Sequence, residues 1–94
     1  MTKVDIHADI CTSMNALYAR KNHDYGDSFG KSYAEWGLPM ACIRLGDKLE
    51  RLKAFAKGGK LTVSDESIED TLVDLANYAI MTLVERKLAE KEGQ

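Results

Sequence analysis

Residues 64–86 read SDESIEDTLVDLANYAIMTLVER, and this stretch decides the fold class of the chain. Its apolar residues recur at three- and four-residue steps, which is the period of an amphipathic α-helix. They form two adjacent faces, one of Ile68, Leu72, Leu75, Ala79 and Leu83 and the other of Val73, Ala76, Ile80 and Val84. The pattern predicts a long helix that starts after Ser64 as N-cap and continues past Arg86.

The apolar arc of this helix covers roughly half of its circumference, whereas one neighbouring helix needs a stripe only about 100° wide. The helix is therefore expected to contact two or more partners, one of them from another subunit. The whole chain points the same way, because 94 residues with 45% hydrophobic content carry more apolar surface than a small monomer buries readily. A homo-oligomer is expected.

Two more helices and a connection precede this stretch. Periodic apolar residues predict a first helix over residues 5–22, with a capping box formed by Thr2 and Asp5. A second main helix is predicted from Pro39 to about Lys57, ending at the glycine pair 58–59. Its stripe consists of Leu45, Leu49, Leu52 and Ala56.

The connection over residues 22–38 concentrates four of the seven aromatic residues, and a short helix is predicted over residues 32–36. Gly46, in the middle of the second main helix, is interpreted as a gap for close helix approach. The predicted fold is one all-α domain over residues 1–94, a small bundle of three main helices plus a short connecting helix, completed by homo-oligomerisation.

Charge and composition exclude several function classes. The formal net charge is −2, so no basic excess exists to grip a nucleic-acid backbone, although a local cluster of cations can still hold a phosphorylated ligand. No apolar run approaches the length of a membrane span, and no signal peptide is visible. The expectation is a cytoplasmic protein with two buried free thiols, Cys11 and Cys42.

Two acidic sets lie on the main helices. One is Asp47 and Glu50, three residues apart, and the other steps along one face through Glu66, Asp70, Asp74 and Asn77. If the two helices face each other, these carboxylates can build an oxygen-rich site for Mg²⁺. The alternative is a solvated face with intrahelical ion pairs, and the sequence leaves both open.

Cations and a polar turn accompany the acids. Arg44, Lys48 and Arg51 lie on the second main helix, where they suit a phosphate or form a salt-bridged face. In the turn, Lys21 could meet a phosphate, Asp24 could accept a hydrogen bond and Tyr25 could stack on a base. The alternative is a plain helix C-cap, with Gly26 at positive φ and an Asx-turn at residue 27.

Three blocks of the sequence resemble a known family. Residues 21–26 (KNHDYG), 44–52 (RLGDKLERL) and 66–79 (ESIEDTLVDLANYA) resemble nucleotide modification associated domain 1, a small phage and bacterial domain. That family is similar to the MazG-type all-α nucleoside triphosphate pyrophosphohydrolases, which bind Mg²⁺ through carboxylates on two helices. The resemblance implies Asp47, Glu50, Asp70 and Asp74 as metal ligands, with Glu66 as an outer candidate.

The resemblance also implies Lys21, Lys48 and Arg51 as phosphate contacts, and we assign Glu50 and Asp74 to catalysis. The remaining substrate-binding candidates are Asp24, Tyr25, Arg44 and Asn77. The leading hypothesis is a phage-encoded nucleotide-handling protein in a bacterial host cell. It would carry out Mg²⁺-dependent hydrolysis of nucleoside triphosphates to monophosphate and pyrophosphate, or take part in nucleotide modification.

Two alternatives are kept. The acid pattern lacks the Glu-Glu doublet of the pyrophosphohydrolases, which favours a non-catalytic oligomer that binds and sequesters a nucleotide, for instance a signalling nucleotide of host defence. The other alternative is a structural helical module that pairs with a partner protein. A nucleotide that binds only the folded state must raise the melting temperature of the protein. A thermal shift with a nucleotide therefore separates the structural module from the hydrolase and from the sequestering oligomer.

Overall fold

A computed structural model describes residues 1–58 and 67–92 of the chain. This part of the chain forms four helices and contains no strand. The helices are α1 (Lys3–Asp24), α2 (Ser28–Trp36), α3 (Leu38–Ala56) and α4 (Ile68–Glu92). The predicted all-α architecture of three main helices and a short connecting helix is confirmed.

The helix ends follow local side-chain chemistry. Thr2 and Asp5 form the predicted capping box on α1: the Asp5 amide donates to Thr2 Oγ1 at 3.1 Å and the Thr2 amide donates to Asp5 Oδ2 at 3.0 Å. On α4, Ser67 and Asp70 exchange the same pair of bonds, at 3.0 and 3.2 Å. The prediction of Ser64 as the cap is therefore corrected to Ser67, and residues 64–66 lie outside the described residues.

Positive φ angles mark the breaks between helices. Gly26 and Asp27 lie at φ 61° and 56° between α1 and α2, as the turn interpretation expected of Gly26, but the Asp27 side chain makes no capping hydrogen bond. Gly58 at φ 79° ends α3, which confirms the predicted stop. The short helix α2 begins at Ser28, four residues earlier than predicted.

The packed centre lies where α2 meets α3 and α4. Phe29, Met40 and Ala41 are buried, and Tyr33, Tyr78 and Met81 pack against them. Helices α3 and α4 are antiparallel, because Met40 near the start of α3 packs in the same cluster as Met81 late in α4. Farther along α3, Lys48 pairs with the earlier residue Asp74.

The leucine stripes of α3 and α4 are not buried within the single chain. Leu49 is 43% exposed and Leu72 is 46% exposed, whereas the buried residues of α4 are Thr71 and Thr82. Both threonine hydroxyls donate to the carbonyl four residues earlier, Ser67 at 3.0 Å and Tyr78 at 2.7 Å, so their burial leaves no hydroxyl unsatisfied.

Two smaller expectations also change. A Cβ placed on Gly46 would meet nothing within 4 Å, so none of the described helices packs closely against it. Cys11 and Cys42 are free thiols as expected, but both are exposed rather than buried. None of the helices in the described ranges is long and apolar enough to cross a membrane.

Candidate functional site

A cavity of about 380 Å³ opens where all four helices meet. It combines one aromatic wall with cationic, amide and hydroxyl groups. The lining residues are Tyr18, Lys21, Asn22, Tyr25, Ser28, Phe29, Ser32, Met40, Arg44, Asp74, Asn77, Tyr78 and Met81. Its volume falls in the range of about 300–1,000 Å³ typical of small-molecule sites, and its lining is mostly apolar with a few convergent polar groups, as such sites usually are.

The aromatic wall is built by α2 against α4. The rings of Phe29 and Tyr78 stack with centroids 5.9 Å apart and planes inclined by 28°, and the rings of Phe29 and Tyr33 stack with centroids 6.4 Å apart. At the mouth, Tyr25 leaves 69% of its surface exposed although it follows directly after α1. The Phe29 ring is buried and the Tyr33 and Tyr78 rings are half-buried, whereas the exposed Tyr25 ring is available to a ligand.

A shared carboxylate ties three helices together beside this wall. Asp74 of α4 receives Lys48 of α3, with Nζ to Oδ2 at 3.0 Å, and Lys21 of α1, with Nζ to Oδ1 at 3.8 Å. The Asp74 and Lys48 side chains are only 25% and 20% exposed. Because half-buried charges are weakly screened, this triad fixes the two ammonium groups at the edge of the cavity.

A shallower depression of about 220 Å³ adjoins the cavity along α3. It is lined by Arg44, Asp47, Lys48, Arg51 and Tyr78. Arg44 and Tyr78 line both hollows, so a groove with three cationic side chains from one helix face adjoins the cavity. Arginine donates to phosphate in a planar fork and lysine acts as a point charge, and both are usual contacts of a phosphate group.

The structure thus gathers most of the residues that the sequence analysis named as substrate contacts. Lys21, Tyr25, Arg44 and Asn77 line the cavity, and Lys48 and Arg51 line the adjoining groove. Asp24 lies apart from both: its carboxylate faces the ring of His23 at 3.4 Å on the exposed end of α1.

Other lining residues were not named from the sequence. Tyr18 and Asn22 on α1, Phe29 on α2 and Tyr78 on α4 all face the cavity. The concentration of aromatics in residues 22–38 was the available signal for Phe29. A ring one position after Asn77 on an otherwise acidic face was the signal for Tyr78.

The four predicted metal ligands do not gather. Glu50 is 73% exposed and pairs with Lys53 at 3.2 Å, Asp70 is held in the α4 capping box, and Asp74 is held by two lysines. Asp47 lines the groove. Over residues 1–58 and 67–92, no three carboxylate, histidine or cysteine side chains are placed so that they could hold a metal ion, and Glu66 lies outside these ranges. Mg²⁺ at these residues stays a prediction.

Two titrating groups near the mouth are shifted by their surroundings. Burial raises the pKa of Tyr18, and the nearby carboxylates of Asp27 and Glu85 raise it further. Burial likewise raises the pKa of Glu85, with added repulsion from Asp27 and Glu92. The Tyr18 hydroxyl is thus kept protonated, and it remains a hydrogen-bond donor inside the cavity at neutral pH.

Together the four helices and this cavity define a class: a small all-α protein with an aromatic wall and a row of cations around one ligand-sized space. The sequence model of the family described as nucleotide modification associated domain 1 matches residues 21–85. This match covers well over half of the chain, and the chain belongs to that family. No curated protein and no solved structure matches the chain.

Proposed function

We propose that this protein binds a nucleotide in the cavity between its four helices. The base lies against the wall of Phe29 and Tyr78, under the exposed ring of Tyr25. The phosphates extend along the groove toward Lys48 and Arg51. The observation that carries the proposal is that a stacked aromatic wall and a row of cations line two adjoining hollows that share Arg44 and Tyr78.

The chemistry of each end supports this orientation. Stacking of a base on an aromatic side chain contributes about 1–3 kcal/mol, and any base can use it. Charge-assisted hydrogen bonds from arginine and lysine are roughly twice as strong as neutral ones, so the phosphates contribute the rest of the affinity. The amides of Asn22 and Asn77 line the same cavity and can donate to and accept from a base edge. The family's own description, which refers to nucleotide modification, agrees with a nucleotide ligand.

We further propose that the nucleotide is bound intact in this arrangement. Hydrolysis to monophosphate and pyrophosphate needs Asp47, Glu50, Asp70 and Asp74 to act on shared metal ions. Three of these carboxylates are instead engaged with lysines or with a helix cap. The cations stabilise a bound phosphate without any metal, so binding should survive removal of Mg²⁺.

The test is a titration of the protein with a panel of nucleoside and deoxynucleoside triphosphates, with Mg²⁺ and with a chelator. We expect binding heat and a raised melting temperature in both buffers, and chromatography should recover the nucleotide intact. No thermal shift with any nucleotide would contradict the proposal. Release of pyrophosphate that depends on Mg²⁺ would show that the protein hydrolyses the nucleotide and does not sequester it.

Matched substitutions locate the site. Tyr25→Ala should weaken binding about tenfold, the loss that corresponds to one stacking contact, whereas Trp36→Ala should not. Both rings are similarly exposed, 69% and 65%, but only Tyr25 lines the cavity. For the phosphates, Arg44→Ala should weaken binding and Lys53→Ala should not, since Lys53 lies on the same helix and pairs with Glu50. Equal losses within either pair would show that the ligand lies elsewhere.

A further inference from the structure

Neutral hydrogen-bonding groups line the cavity beside its aromatic wall. They are the amides of Asn22 on α1 and Asn77 on α4 and the hydroxyls of Tyr18, Ser28 and Ser32. Asn22, Asn77 and Tyr18 are half-buried, and none of their side chains forms a hydrogen bond with another residue of the described ranges. A site that is built around such groups rejects a ligand that leaves them unpaired. The cavity therefore offers a ligand more than a surface for stacking.

Asn77 lies directly beside the aromatic wall. It precedes Tyr78, whose ring stacks with that of Phe29, and it shares a face of α4 with Asp74 and Met81, three and four residues away. All five of these side chains line the cavity. Because a base that lies flat on the wall turns its edge to the side, the edge meets the groups that flank the wall. Asn77 is therefore placed to contact that edge.

A third hollow of about 250 Å³ adjoins the cavity between α1 and α4. It shares Tyr18, Asn77 and Met81 with the cavity. None of the described residues that line it carries a charge, whereas the groove along α3 has three cations. The phosphates of a nucleotide are drawn to the cationic groove. Asn77 thus lies where the cavity borders the neutral hollow, and it is available to the base.

The donors and acceptors of the cavity favour adenine among the bases. A primary amide presents one acceptor and one donor group, and it pairs in a bidentate manner with the amino group and a ring nitrogen of adenine. Guanine instead brings an amino group and an N1–H that both need acceptors. Among the described residues, Asp74 is the only carboxylate in the lining, and its oxygens already pair with Lys21 and Lys48. A two-ring purine also covers more of the aromatic wall than cytosine does.

We propose that Asn77 determines the base specificity of the cavity, and that its amide selects adenine nucleotides by pairing with the amino group and a ring nitrogen of the base. This inference rests on the proposed function, because it concerns the same cavity. It goes further, since stacking alone accepts any base. If no nucleotide binds, the proposed function fails as well. If all purine nucleotides bind equally, nucleotide binding stands and only the role of Asn77 is overturned.

The first test uses the native protein and needs no variant. Calorimetry compares ATP with inosine triphosphate and GTP, which have the same sugar, phosphates and purine skeleton but carry a keto group and an N1–H in place of the adenine amino edge. ATP should bind about tenfold more tightly than either, as expected when one bidentate pair is lost. Equal affinities for the three nucleotides would overturn the proposal.

The second test assigns the selectivity to Asn77. Asn77→Asp keeps the size of the side chain but replaces its donor with an acceptor, which suits the two donors of guanine. The added charge weakens both triphosphates, so the measure is the ratio of ATP to GTP affinity within one variant. This ratio should fall several-fold.

The matched control is Asn15→Asp, which adds the same charge in the third hollow at a residue that does not line the cavity. It should leave the ratio of ATP to GTP affinity unchanged, and circular dichroism checks that both variants keep their helix content. An unchanged ratio in folded Asn77→Asp, or an equal change in the control, would show that another group selects the base.

Discussion

Asp74 links two cations of the candidate site to α4. Its carboxylate already occupies the position of an anion between Lys21 and Lys48, at 3.8 and 3.0 Å. A bound phosphate would compete with it for the same ammonium groups. The residue thus holds the cations in place and competes with a ligand for them.

The substitution Asp74→Asn separates these roles. Because the carboxylate no longer competes, we expect tighter binding of a nucleoside triphosphate in calorimetry, by a factor of several. We also expect a loss of about 1–3 kcal/mol in the free energy of unfolding, since Lys21 and Lys48 lose their ion pairs with this carboxylate. If Asp74 held a catalytic metal, the same change would instead abolish turnover and leave affinity unchanged or weaker.

Glu85 gives a prediction for the pH dependence of stability. Burial and the neighbouring carboxylates of Asp27 and Glu92 raise its pKa. Above the ordinary pKa of glutamate, the folded chain therefore holds this proton more tightly than the unfolded chain does. Stability is consequently lost as pH rises through the raised pKa. Glu85→Gln should raise the melting temperature at pH 7 and change it less at pH 4.

The control for this pair of measurements is Glu90→Gln, an exposed acid on the same helix. It should leave the melting temperature nearly unchanged at both pH values. A lower melting temperature for Glu85→Gln at pH 7 would mean that its carboxylate stabilises the fold.

At the start of α4, substitutions can distinguish a capping role of Asp70 from a metal-binding role. Ser67 and Asp70 exchange two hydrogen bonds that satisfy free backbone amides of the first turn. Ser67→Ala should therefore lower the free energy of unfolding by about 1 kcal/mol in urea titrations, and Asp70→Asn should act in the same direction. Neither change should alter nucleotide affinity, whereas a metal ligand at Asp70 would couple stability to Mg²⁺.

Helix α3 carries a second test at this scale. Gly46 has helical geometry and no atom near the position of an added Cβ. Gly46→Ala should raise the free energy of unfolding by about 1 kcal/mol, because alanine restricts the unfolded chain and favours the helix. The measurement is urea unfolding at one fixed protein concentration. Destabilisation would show that another surface packs closely at this glycine.

At the scale of the whole molecule, the order and type of the helices follow from the sequence, and the packing does not. Apolar periodicity predicts α1, α3 and α4, and it finds the leucine stripes. It cannot tell whether the same chain or a second copy covers them. Burial of Thr71 and Thr82 escaped the pattern because their hydroxyls are satisfied by carbonyls of their own helix.

The candidate site, like the fold, is predicted only in part by the sequence. The cations Arg44, Lys48 and Arg51 share a helix face, so their spacing places them together in the structure. The aromatic wall depends on where α2 begins. That start is set by the left-handed turn at residues 26 and 27, which no apolar period records. Long-range pairs such as Lys21 with Asp74 form only when α1 packs near α4, so local sequence spacing does not predict them.

A nucleotide titration followed by backbone amide NMR tests most directly whether the cavity between the helices binds a nucleotide. Binding in the cavity should shift amides of residues 18–32, 40–51 and 74–81, which contain its lining groups. Amides beside Ile68 and Leu72, which line neither hollow, should stay in place. The absence of shifts with every nucleoside triphosphate, or shifts confined to residues that line neither hollow, would contradict binding in the cavity.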